Sequence, residues 1–188
     1  QDVSEQRLVE DQLNTALREL DLFFSVALDL LCIADTDGYF RKLNPMWTRA
    51  LGYSLDELTG TRFLDFVHPE DMEATFGAIA KLMEQQEVTK FVNRYRRKDG
   101  TYCSLEWASF PVGKMIYASA RDITERLDTL QQLRESDERW QFALEGSGDG
   151  VWDWDAHTHR VYFSRQWKAM LGFQPEEIGD TLDEWDRR

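Results

Sequence analysis

The chain has 188 residues, a formal net charge of -13 and two cysteines. So large an acidic surplus opposes the basic face that phosphate binding needs, which excludes a nucleic-acid groove. Two thiols make no disulfide scaffold, and without a signal peptide or an apolar run of membrane-spanning length the expectation is a cytoplasmic protein. Direct membrane contact is not expected of this segment, and any membrane tether would belong to a longer parent protein.

Residues 4–28 contain neither Pro nor Gly, and Leu13, Leu17, Leu20, Phe24 and Ala27 step by four and three. That spacing predicts a helix with a heptad seam, suited to pairing with a second copy of itself. Leu30 to Ala34 and Tyr39 to Leu43 read as strands around the turn Asp35-Thr-Asp-Gly38. Asn44 is expected to cap a short helix opened by Pro45, and Ser54-Leu-Asp-Glu57 has the form of a capping box. His68-Pro69 opens a longer helix from Asp71 to Glu84, with Met72, Phe76, Ile79 and Met83 on its inward face. Three strands follow, Val88 to Arg96, Thr101 to Phe110 and Lys114 to Ala120, the first pair joined by the hairpin signal Lys98-Asp-Gly100. Cys103, Leu105 and Trp107 share one face of the middle strand. Asp122-Ile-Thr-Glu125 then closes the sheet and opens a helix running to about Leu144.

The same pattern returns 120 residues later. Leu31, Asp35, Leu43, Trp47, Leu51, Gly52, Tyr53, Glu57 and Leu58 are answered by Val151, Asp155, Phe163, Trp167, Leu171, Gly172, Phe173, Glu177 and Ile178. A period this long marks tandem domains rather than a solenoid. The expected division is an N-terminal helix at 1–28, a first module at 29–122, a linker helix at 123–145 and the N-terminal part of a second module at 146–188. The second copy ends before it could be complete, which suggests a fragment of a longer multi-domain protein.

The order of these elements resembles a PAS domain followed by its C-terminal PAC motif, as found in bacterial signalling proteins. The resemblance rests on Asp35-Thr-Asp-Gly38, Asn44-Pro45, Leu51-Gly52-Tyr53 with Glu57-Leu58, His68-Pro-Glu-Asp71, Arg96-Arg-Lys-Asp-Gly100 and Asp122-Ile-Thr124. It implies an α+β fold: a five-stranded antiparallel sheet of order 2-1-5-4-3, with helices on one face enclosing a pocket. Coiled-coil-like helices would flank this fold, and the second PAS copy would be incomplete. Cys32 and Cys103 would lie on strands kept apart by the fifth, roughly 9 to 10 Å away from each other and beyond disulfide reach.

By the same resemblance, the pocket would be lined by Trp47, Phe66, Phe76, Ile79, Met83, Asn93 and Trp107. A ligand or redox change there would pass through Asp122, Ile123 and Thr124 into the helical linker. The output, a histidine kinase or diguanylate cyclase, would lie in a missing C-terminal part, and the flanking helices would form a homodimer. The rival expectation is a ligand-free dimerisation and spacer module.

The cofactor stays open between flavin, haem and none. The stretch Thr61-Arg-Phe-Leu-Asp65 lacks the cysteine of flavin-thiol photochemistry, whereas Trp47, Asn93 and Trp107 are available to a non-covalent flavin. His68, a conceivable haem ligand, reads better as the start of a helix. His157-x-His159 is short of a metal-ligand set and reads as a turn. Arg94, Arg96, Arg97 and Lys98 read as a solvated hairpin end, and Gly146-Ser-Gly-Asp-Gly150 lacks the ending of a P-loop. No nucleophile-base-acid set is found, so the segment itself is not expected to be an enzyme.

Overall fold

The computed structural model describes residues 2–179; the tail of the expected second copy, 180–188, lies outside the described residues. The chain divides into two units, Gln1–Leu127 and Asp128–Arg188. Among the described residues no helix is long and apolar enough to cross a membrane.

In the first unit, helix α1 (Asp2–Val26) leads into strands β1 (Leu30–Asp35) and β2 (Phe40–Leu43). Their turn is held by Asp35, whose Oδ1 accepts the Tyr39 N–H at 2.9 Å, and by Gly38 at φ 95°. Helices α2 (Met46–Leu51) and α3 (Leu55–Leu58) and the 3-10 turns Phe63–Phe66 and Pro69–Asp71 cross to helix α4 (Met72–Met83). Strands β3 (Val88–Arg96), β4 (Tyr102–Val112) and β5 (Met115–Asp122) complete the unit, and helix α5 starts at Thr124 and runs to Ser147. The sheet is antiparallel throughout, in the order β2-β1-β5-β4-β3. The resemblance implied this order, which does place β5 between Cys32 and Cys103.

The capping box forms as read: Ser54 Oγ accepts the Glu57 N–H, and Glu57 Oε2 accepts the Ser54 N–H. Apolar side chains of the sheet's inner face meet those of the short helices. Trp47 is the centre of this core at 0 % exposure, its ring 5.1 Å from Phe40, 5.9 Å from Trp107 and 6.1 Å from Tyr95.

Two local expectations are corrected. Asn44 does not cap α2, which begins after Pro45 with no side-chain cap. Fully buried, it instead extends the β1–β2 ladder. Its Oδ1 accepts the Leu31 N–H at 3.0 Å, its Nδ2 donates to Asp29 O at 3.0 Å, and its backbone N–H donates to Leu31 O. On α4 the inward face carries Thr75, Ala78, Ile79 and Leu82, while Phe76 and Met83 are 52 % and 61 % exposed. Thr75 replaces Phe76 in the interior because its hydroxyl is satisfied: it donates to Asp71 O at 2.7 Å and accepts from Asn93 Nδ2 at 3.1 Å.

Helix α1 ends one residue before Ala27, so the seam within it runs from Leu13 to Phe24. Leu13, Leu17 and Leu20 are each more than half exposed. Lys42 reaches over the Phe24 ring at 4.9 Å and pairs with Asp21 at 2.6 Å.

In the second unit, α5 continues past the expected end near Leu144. It is followed by strands β6 (Trp152–Asp155) and β7 (Arg160–Phe163) in an antiparallel pair and by helix α6 (Arg165–Met170). Val161, Phe163 and Ile178 are buried with Trp167 and Phe173 against them. His157 and His159 lie in the β6–β7 turn, where Asp155 Oδ1 accepts the His157 and Thr158 N–H groups.

Candidate functional site

Between α4 and the inner face of the sheet lies a cavity of about 60 Å³. Of the expected pocket residues it brings together Ile79, Asn93 and Trp107. Trp47 and Phe66 are core residues that do not line it, and Phe76 and Met83 face solvent. Sequence reasoning missed Thr75, Ser109 and Phe63 on the wall. Ser109 was within reach of the strand alternation, because the face of Cys103, Leu105 and Trp107 continues two residues on to Ser109.

A polar chain crosses one side of the cavity. Trp107 Nε1 donates to Asn93 Oδ1 at 2.7 Å, Asn93 Nδ2 donates to Thr75 Oγ1, and Thr75 donates to Asp71 O. These bonds fix the Asn93 carboxamide and leave it one amide proton. Burial pushes the Cys32 thiol up to about 12 and the Cys103 thiol up to about 11, so neither is a thiolate near neutrality.

The second feature is the junction between β5 and α5. Asp122 Oδ1 accepts the Thr124 N–H at 2.9 Å and its hydroxyl as well, capping the helix. The Thr124 hydroxyl in turn accepts the Ser104 N–H of β4 at 2.9 Å, and the buried Ile123 donates its N–H to Ser104 O at 2.9 Å. Arg97 ties the junction to the helical layer: its Nη2 reaches Asp122 Oδ2 and its Nε donates to Ala50 O, both at 3.0 Å.

Arg97 belongs to the basic cluster, and each member of that cluster has a partner. Arg94 takes Asp71 in a two-pronged grip at 2.7 and 2.9 Å and reaches Glu70 at 2.9 Å. Arg96 reaches Asp65 O at 3.5 Å, and Lys98 pairs with Glu57 at 2.7 Å. The cluster therefore fastens helices to the sheet, while Arg96 and Lys98 stay exposed as a solvated hairpin end. His68 is likewise committed: its Nδ1 accepts the Glu70 N–H at 3.2 Å, and its ring meets Tyr102 edge-on at 4.5 Å, off the cavity wall.

These pairs set an acid dependence. The Lys98 ammonium and the Ser54 N–H hold the Glu57 carboxyl at about 2, and the Arg94 guanidinium holds Asp71 below its usual value. Carboxyls lowered in the folded state contribute stability above their unfolded range, about 4, and lose it as pH falls through the folded value. Lys98→Met should therefore lower the melting temperature at pH 6 and converge on the parent as pH nears about 2. Thermal unfolding between these limits measures it, and an equal deficit at both ends would overturn it.

The PAS fold family matches residues 40–121, from the first residue of β2 nearly to the end of β5. Residues 40–121 have the PAS fold. The PAS domain of an HTR-like protein from Haloarcula marismortui superposes with a TM-score of 0.55 at 24 % identity, over 62 % of this chain and 99 % of that one, a likeness of fold. Among curated relatives, the probable diguanylate cyclase DgcE of Escherichia coli is 29 % identical over 66 % of this chain and 12 % of its own. The two-component sensor PprA of Pseudomonas aeruginosa is 27 % identical over 72 % of this chain and 15 % of its own. The chain thus spans about one seventh or less of the length of the curated relatives it matches.

PAS resemblance admits a flavin or a haem, and the size of the cavity tests both. Sites for molecules of that class run to about 300–1,000 Å³, several times the 60 Å³ present here. Neither group fits between α4 and the sheet as folded.

Proposed function

We propose that the chain is a sensory and relay segment of a bacterial signal-transduction protein. A small molecule in the PAS core alters packing against the sheet, and the change passes through Asp122, Ile123 and Thr124 into α5. From there it reaches an output domain of the histidine kinase or diguanylate cyclase type in a longer protein. The observation that carries this reading is the junction. Thr124, the first residue of α5, bonds to β4 through Ser104, and Asp122, which caps α5 from the end of β5, bonds to the helical layer through Arg97. A shift of sheet against helices has to strain one of these bonds. Thiol redox is the weaker trigger, since burial keeps both cysteines protonated.

The segment works in this reading as a homodimer paired along Leu13, Leu17, Leu20 and Phe24, and the protein is cytoplasmic. The second unit is the start of a second PAS copy, which bonds repeated 120 residues apart support. Ser164 Oγ accepts the Val151 N–H at 2.9 Å as Asn44 Oδ1 accepts that of Leu31 at 3.0 Å. Glu177 accepts the Gln174 N–H at 2.7 Å as Glu57 accepts that of Ser54 at 2.8 Å. Gly172 has φ 82° where Gly52 has 79°.

The second reading, a ligand-free dimerisation and spacer module, is favoured by the exposed seam and by the modest cavity. A double substitution in the longer protein separates the two. Ala78→Val fills the cavity and stands in for an occupied pocket. Sensing predicts that it changes output severalfold, and that Thr124→Val, which removes the hydroxyl bonded to Ser104, abolishes that change at a cost in stability of no more than about 1 kcal/mol. Output indifferent to Ala78→Val in both backgrounds would favour the spacer. A response that survives Thr124→Val would exclude this relay.

A further inference from the structure

The wall of the cavity says what kind of molecule it takes. Ser109 lies on that wall at 6 % exposure, and its hydroxyl has no hydrogen-bond partner among the described residues. Every fully enclosed side-chain oxygen or nitrogen among the described residues does have a partner, so this hydroxyl opens onto the cavity. A buried hydroxyl left unpaired costs free energy, and an occupant that bonds to it recovers that cost.

Size and polarity narrow the occupant further. A cavity of about 60 Å³ is well below the ~150 Å³ that admits a benzene ring, yet it exceeds the ~10–15 Å³ that one water needs. Room for about four such spheres corresponds to three to five non-hydrogen atoms. No Lys, Arg, Asp or Glu lines the cavity, and burial keeps its thiol neutral, so an ion would lose its hydration for no partner. One water can be satisfied by the few polar groups of the wall, but water filling the whole cavity cannot, because each buried water needs two to four polar partners. Beyond the Ser109 and Tyr95 hydroxyls and the spare Asn93 proton, most of the wall is carbon, from Phe40, Phe63, Leu82 and Ile116.

We propose that this cavity binds a small uncharged amphiphile, with an oxygen hydrogen-bonded to Ser109 and a short carbon chain against the apolar wall. This deepens the sensory reading and rests on it. A short alcohol is the simplest member of the class.

Titrating the 188-residue chain with 1-propanol under amide-resolved NMR tests it. Saturable shifts are expected at residues 75–82 and 107–109. Ser109→Ala, which keeps the space and removes the hydroxyl, should weaken the dissociation constant about three- to tenfold. Ala78→Val should abolish binding. Propionate, similar in size but charged, and benzyl alcohol, too large, should produce no saturable shift. Absence of saturation with 1-propanol, equal affinity in Ser109→Ala, or equal binding of propionate would each overturn the proposal. Its failure is separable from failure of the sensory reading. Binding of 1-propanol with output indifferent to Ala78→Val leaves the ligand class standing and removes the sensor, and the converse pair of results does the reverse.

Discussion

Trp47→Ala should lower the stability of the first unit by about 3–5 kcal/mol, the cost typical of emptying a large aromatic site in a packed core. The side chain is fully buried against Phe40, Tyr95 and Trp107, and its Nε1 donates to Leu31 O at 3.0 Å. A loss of that size is a large share of the 5–15 kcal/mol that holds ordinary domains folded, and should lower the melting temperature by about 15 °C or more. Trp47→Phe separates packing from the hydrogen bond. It keeps most of the ring, and Leu31 O retains the Asn44 N–H as donor, so a cost of only about 1–2 kcal/mol is expected. Far-UV circular dichroism melts of the three proteins measure both. A Trp47→Ala shift of a few degrees would show that the short helices collapse onto the gap, contrary to the packing described.

Asn44→Leu should cost about 2–5 kcal/mol, because it orphans the Leu31 N–H and the Asp29 carbonyl that the carboxamide now satisfies. Asn44→Ser is the informative companion. At the matching place in the second unit, Ser164 Oγ accepts the Val151 N–H at 2.9 Å. A serine at 44 should therefore keep the bond to Leu31 and lose only the one to Asp29, at a cost of about 1 kcal/mol. Chemical denaturation of the two variants tests the ranking. Equal losses would mean that hydration of the β1 edge, and not the carboxamide, sets the stability there.

The strands were legible because alternation and turn chemistry are local. Lys98-Asp-Gly100 marked the β3–β4 hairpin, where Asp99 accepts the Thr101 N–H and Gly100 has φ 88°. Ser54 and Glu57 announced their own cap. The pocket was legible only in part. Helical spacing puts Met72, Phe76, Ile79 and Met83 on one stripe of α4, and while Ile79 does face the cavity, Phe76 and Met83 are exposed. Arg94 settles the orientation by gripping Asp71 at the start of α4 from β3, which turns Thr75 and Ile79 inward. Asn44 was misread for a similar reason. Asn before Pro is ordinary cap chemistry, and only the approach of β1 supplies the backbone groups that claim its side chain instead.

By itself the sequence determined the order of elements, the turns between them, the capping box and the 120-residue repeat. Each of these depends on residues close together in the chain or on simple comparison along it. Tertiary structure decided the rest. It set which stripe of α4 meets the sheet, bound Arg94, Arg97 and Lys98 to partners, placed the Ser109 hydroxyl on the cavity wall and limited that cavity to about 60 Å³. These depend on groups brought together from distant strands and helices, where packing density and the pairing of buried polar groups choose among arrangements that the local pattern leaves equivalent.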